Sequence, residues 1–165
     1  MPARDASSYR IIGVDPGLAA TGWGVIEVQG QQIRCVSYNC VETKADVPRA
    51  ERLFSIYKAF WSVLQEYQPA ESAIETLYFA KNVSSAIPVA EARGVLCMTL
   101  AQYGIPVREF SPNAIKQAVV GRGMAGKSQV QELVRILLGL NSIPKPDHAA
   151  DALGVAVCCA HTPVF

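Results

Sequence analysis

The segment from Ile11 to Gly24, IIGVDPGLAATGWG, constrains this chain more than any other. Ile11, Ile12 and Val14 are apolar and β-prone, which predicts a strand running under the core. Asp15 stands where that strand ends. Pro16 fixes the backbone, removes a donor and pushes Asp15 toward extended geometry. Gly17 permits a sharp turn, and Gly22 and Gly24 let another element approach the next strand closely. A carboxylate at the end of a buried strand is costly unless it is paired or holds a metal. Asp-Pro-Gly is also a good turn sequence, so this stretch alone leaves a functional acid and a turn-former equally open.

With 165 residues, half of them hydrophobic, the chain suits one domain with a sizeable core and is not disordered. We read 1–165 as a single domain, with 1–9 as a flexible N-terminal tail. The start is polar and carries no secretory signal. The longest uncharged apolar run, Ala152 to Ala160, is too short to span a bilayer. Five cysteines (Cys35, Cys40, Cys97, Cys158 and Cys159) form no CxxC pair. This argues for reduced core thiols in a cytoplasmic protein rather than a disulfide framework or zinc ribbon. Net charge is only +1, but from Arg108 to Arg135 five basic residues stand against two acidic ones. Such a stripe is compatible with nucleic-acid binding without establishing it.

In chain order, Gly22 to Val28 and Ile33 to Val41 read as two further strands joined at Gln29–Gln31, so the first three strands form an antiparallel meander. Val47 to Tyr67 has helical periodicity in Leu53, Ile56, Tyr57, Phe60 and Leu64. Ala73 and Ile74 form a short buried strand that ends, like the first, in a carboxylate, Glu75. Asn82 to Tyr103 reads as a helix apolar on more than one face, with Pro88 near a kink or first turn. Ile105 to Phe110 is a fifth strand. Ser111-Pro112 is a capped helix entry for Asn113 to Val120. Lys127 to Leu138 and Asp147 to Ala160 are the last two helices. This order predicts an α/β fold, a mixed five-stranded sheet flanked by helices, with Asp15 and Glu75 at strand ends where sites gather.

On the last helix His148 and Asp151 are three apart and share a face, while Asp147 and Asp151 are four apart and could share one too. The helix dipole accounts for Asp147 near the first turn. It accounts less well for Asp151, a full turn in among apolar residues. Convergent carboxylates and imidazole are what hard divalent cations take, keeping waters for a substrate phosphate. Two such ions about 3.5–4 Å apart activate a water and stabilise the leaving oxygen of a phosphodiester.

Five segments in order, GVDPGLAATGWGV, AIETLYFAKN, ARGV, KQAVVGRGMAGKSQV and DHAADAL, resemble the RuvC family of Holliday-junction resolvases over nearly the whole chain. The resemblance implies a ribonuclease-H-like fold, a homodimer, and nicking of four-way junction DNA that leaves 5′-phosphates and 3′-hydroxyls in recombination and repair. It further implies work beside the RuvA and RuvB branch-migration proteins. Two Mg²⁺ ions per subunit are expected, with Mn²⁺ also supporting activity. Asp15, Glu75 and Asp151 match the family's catalytic, metal-holding acids. His148 falls where many members carry aspartate and others histidine; Asp147 is its rival for the fourth ligand. Tyr78 matches an aromatic that stacks on a base, and Lys116 and Lys127 match basic positions. Lys81 and Arg122 are further DNA-contact candidates, for which a solvated role is equally open. The helix Asn82–Tyr103 is the expected dimer contact.

Two other classes remain open to the sequence. Gly121 to Ser128 satisfies the P-loop pattern GxxxxGK[ST]. A helix rather than a strand precedes it, however, and too little chain follows for a nucleotide domain. A related RNA-processing nuclease or a catalytically silent junction binder is the remaining alternative, and the intact set of three acids argues against silence.

Overall fold

Alternation along the first strand sorts the molecule into two layers. The computed structural model describes residues 8–77, 83–121, 123 and 125–162. In β1 (Tyr9–Asp15), Ile11 packs into one core and Ile12 and Val14 into another, as the period of two on a strand requires. β2 (Ala20–Gln29) and β3 (Gln32–Glu42) follow antiparallel, completing the expected meander. α1 (Arg49–Tyr67) leads to β4 (Glu71–Glu75), which pairs parallel to β1. α2 (Val83–Tyr103) leads to β5 (Val107–Phe110), parallel to β4. The sheet order is β3-β2-β1-β4-β5. α3 (Pro112–Val120), α4 (Lys127–Leu137) and α5 (Asp147–His161) close the chain. α3, α4 and α5 cover the face that carries Ile11, Ile26 and Ala73, while α1 and α2 cover the face of Ile12, Val14, Val25 and Ile74.

Local chemistry sets the entry to α3. Ser111 caps α3, its Oγ accepting from the Ala114 amide at 3.1 Å with Pro112 in the first turn. Three expectations shift. Tyr9 is already paired with Val28, so β1 begins inside the segment expected as a tail; residues 1–7 lie outside the described residues. β5 starts at Val107, because Gly104 turns at φ +90° and Pro106 has no amide to donate. Pro88 lies inside α2. The five cysteines are free, but only Cys158 and Cys159 are buried.

α5 and the sheet meet main chain to main chain at two glycines, Gly13 and Gly22. α5 lies across β1 and β2, where Gly13 and Gly24 are direct partners and Gly22 partners Asp15. A Cβ on Gly13 would lie 2.0 Å from the Ala152 carbonyl oxygen and 2.6 Å from the Ala156 nitrogen. One on Gly22 would lie 2.0 Å from the His148 carbonyl oxygen, and one on Gly24 2.7 Å from Leu153 Cγ. The close approach expected at Gly22 and Gly24 is therefore made by α5, and Gly13, unmarked in the sequence, belongs to the same floor.

The far end of α5 is fastened from β5. Arg108 Nη1 donates to the Cys159 carbonyl at 3.2 Å and Nη2 to the Thr162 carbonyl at 2.7 Å. Its guanidinium also lies 3.5 Å from a Glu71 carboxylate oxygen and over the Phe110 ring. Carbonyls left over at a helix C-terminus thus meet a cation.

Gly13→Ala has no side-chain neighbour that can yield, and overpacking of this kind costs about 1–3 kcal/mol or more. Gly154→Ala, on another face of α5, would meet Val134 Cγ2 at 3.6 Å, an ordinary contact. Thermal unfolding should therefore show a large loss of Tm for the first and little change or a gain for the second.

Candidate active site

Strand parity puts the two strand-end acids on the face that α5 covers. Asp15 shares its face with Ile11 and Gly13, and Glu75 shares its face with Ala73. Val14 and Ile74 are parallel partners, so Asp15 and Glu75 stand one residue further along neighbouring strands. Gly22 lets the first turn of α5 settle on the sheet beside Asp15. There His148 Nδ1 lies 2.8 Å from Asp15 Oδ2. One ligand atom each from Asp15, His148 and Asp151 lies within 4.8 Å of the others.

Glu75 stands outside that group of three. It lines, with Asp151, Lys116 and Lys127, a cleft of about 290 Å³ floored by Ile115, Val130, Gly154 and Val155. Lys127 Nζ lies 3.5 Å from Asp151 Oδ2 and 3.8 Å from Asp147 Oδ2. Asp147 is turned away from Asp15: its Oδ1 accepts from Lys145 Nζ at 2.9 Å and from Gln131 Nε2 at 3.4 Å. Of the two rivals for a fourth position, the imidazole is the one beside Asp15. Cys40 ends the rung Asp15–Gly22–Cys40 across three strands. The sequence marked it only as a thiol, since nothing local signals its nearness to the acids. Tyr78, Lys81 and Arg122 lie outside the described residues.

The charge balance favours a cation. Burial pushes the Asp15 carboxyl up, the hydrogen bond with His148 pulls it down, and Asp151 adds to the upward push. Burial also raises Glu75 to about 7, helped by the charges of Asp15 and Asp151 and opposed by Lys116. Asp147 is lowered by its hydrogen bond from Lys145. Asp15 and Glu75, both pushed up, form with Asp151 and the imidazole an oxygen-and-nitrogen donor set that suits a divalent cation. Lys116 and Lys127 are the cations beside the cleft that a phosphate could meet.

The family described as "Crossover junction endodeoxyribonuclease RuvC" matches residues 11–159. The crossover junction endodeoxyribonuclease RuvC of Treponema pallidum is 53% identical over 160 residues, which cover 97% of this chain and 82% of that one. That of Chloroflexus aggregans is 48% identical over 153 residues, 93% of each. A solved structure, Thermus thermophilus RuvC in complex with Holliday junction substrate, is 34% identical, superposes with a TM-score of 0.88, and aligns over 93% of both chains.

The Glu75 carboxyl offers a test of this electrostatic reading. Its folded-state value, about 7, lies above its ordinary one, so its ionisation destabilises the fold increasingly as pH rises toward 7. Solvent screens part of this, since Glu75 is only half-buried. In the presence of a chelator, Glu75→Gln should raise Tm at pH 8 by about 2–4 °C, what about 1 kcal/mol is worth in a chain this size. The gain should shrink toward zero near pH 4.5, where the wild-type carboxyl is already neutral in the fold.

Proposed function

The chain belongs to the RuvC family of crossover junction endodeoxyribonucleases, and we infer that Asp15, Glu75, His148 and Asp151 are its catalytic, metal-holding residues. The enzyme is a nuclease that resolves Holliday junctions in DNA recombination and repair. The observation that carries the site assignment is the convergence of Asp15, His148 and Asp151 within 4.8 Å beside a cleft with two lysines.

Mg²⁺ or Mn²⁺ held there would supply an activated water and a counter-charge for the leaving oxygen of the phosphodiester. Asp15 would hold the ions from the sheet, His148 and Asp151 from α5, and Glu75 from the next strand. Lys127 and Lys116 meet the phosphates, and their charge makes binding salt-dependent. Tyr78 stacks on a base at the crossover, and Lys81 and Arg122 add backbone contacts. Each nick leaves a 5′-phosphate and a 3′-hydroxyl.

The whole chain acts as one nuclease domain, and two copies cut opposed strands about a two-fold axis that matches the junction's own. Support for pairing through α2 comes from Ile87 and Met98, both exposed and nearly in line along the helix with Gly94 between them. Among the described residues no helix is long and apolar enough to cross a membrane. A DNA substrate suits action in the cytoplasm, alongside RuvA and RuvB.

Asp15→Asn, Glu75→Gln and Asp151→Asn should each lower nicking of a synthetic four-way junction by at least about 10²-fold, with junction binding retained. His148→Ala should weaken Mn²⁺ binding, read by calorimetry, by about tenfold or more. Full activity of Asp15→Asn in Mg²⁺ would sink the site assignment.

Met98→Glu should weaken self-association by at least about tenfold in analytical ultracentrifugation. A wild-type chain that stays monomeric at micromolar concentration would rule out the pairing.

A further inference from the structure

Asp147 opens α5 one residue before His148, yet its carboxylate faces α4 rather than Asp15. Lys127 rests between two carboxylates, Asp151 at 3.5 Å and Asp147 at 3.8 Å. The two differ in what else they do. Asp151 belongs to the group assigned to the metal. A divalent ion bound to Asp151 would weaken its hold on Lys127 and would itself repel the ammonium. Asp147 stands apart from that group and is braced by Lys145, whose Nζ donates to Oδ1 at 2.9 Å, and by Gln131, a buried amide one helical turn after Lys127, which leaves Oδ2 toward Lys127. Its attraction for Lys127 persists when the ion arrives.

We propose that Asp147 is a positioning residue for Lys127: it keeps the ammonium at the rim of the cleft when Asp151 turns to a divalent ion, so that Lys127 meets the DNA phosphate. A lysine ends in a compact charge on a flexible four-carbon stem and is not self-orienting. An exposed ion pair stabilises little, so the effect falls on orientation, where a small misplacement slows chemistry strongly. The inference rests on the reading of Asp151 as a metal ligand.

The test compares single-turnover nicking of a synthetic four-way junction in Mg²⁺ by the wild type, Asp147→Asn, Asp147→Glu, Lys127→Ala and the double variant Asp147→Asn/Lys127→Ala. Asp147→Asn should slow nicking about tenfold, and Asp147→Glu should restore most of the rate. Junction affinity of Asp147→Asn in Ca²⁺ should be unchanged or tighter, because a negative charge facing the DNA has gone. On the Lys127→Ala background, Asp147→Asn should change the rate by less than about twofold. A second measurement does not depend on nicking: acylation of the Lys127 amine, read by mass spectrometry without DNA. Added Ca²⁺ should leave Lys127 labelling steady in the wild type and raise it several-fold in Asp147→Asn.

Equal rates for the wild type and Asp147→Asn, additive losses in the double variant, or labelling of Asp147→Asn that ignores Ca²⁺ would each overturn the proposal. Failure of every protein to nick in any ion would instead strike the preceding assignment. The labelling arm would then decide alone, its Ca²⁺-dependent rise supporting the tether and its absence overturning it.

Discussion

The site depends on one contact, the seating of α5 directly on the backbones of β1 and β2. Half of the candidate ligands sit on that helix and half at strand ends, and no loop joins them locally. Their meeting requires the helix axis to lie closer to the sheet than side chains permit. Gly13, Gly22 and Gly24 remove the Cβ atoms that would hold it off. The His148 carbonyl is itself the atom nearest the absent Gly22 side chain, so ligand placement and core packing share one geometric condition. A core that is close-packed transmits a shift instead of absorbing it.

On that scaffold the acids are gathered against their own preference. Burial and mutual repulsion raise Asp15 and Glu75, an arrangement that a fold selected for stability alone would not keep. The lysines offset part of it, Lys116 toward Glu75 and Lys127 toward Asp151. The protein thus holds a local deficit of positive charge that a divalent ion relieves.

Much of this was written in the sequence, and the rest was hidden for identifiable reasons. The meander, the acids at two strand ends and the shared face of His148 and Asp151 follow from short-range periodicity, and the structure has all three. Ser111-Pro112 announced α3 because capping is local chemistry. Gly13 was silent, since a glycine in a strand looks the same whether its missing methyl faces solvent or another backbone. The direction of Asp147 was equally hidden. Its spacing of four from Asp151 suggests a common face, but partners on α4 and in the preceding loop, Gln131 and Lys145, draw its carboxylate elsewhere. The position of Glu75 outside the tightest group is a matter of ångströms that no residue pattern encodes.

Arg108 gives α5 a second fixed point. The helix spans 15 residues, about 20 Å at the usual rise, and a hydrogen-bonded helix resists compression along its length. With the guanidinium gripping the carbonyls of Cys159 and Thr162 at one end, the helix behaves as a strut anchored at the opposite end from the candidate ligands it carries. Small slippage at that anchor would arrive undiminished at His148 and Asp151. A residue outside the candidate ligand set therefore helps to fix where His148 and Asp151 lie along the helix axis.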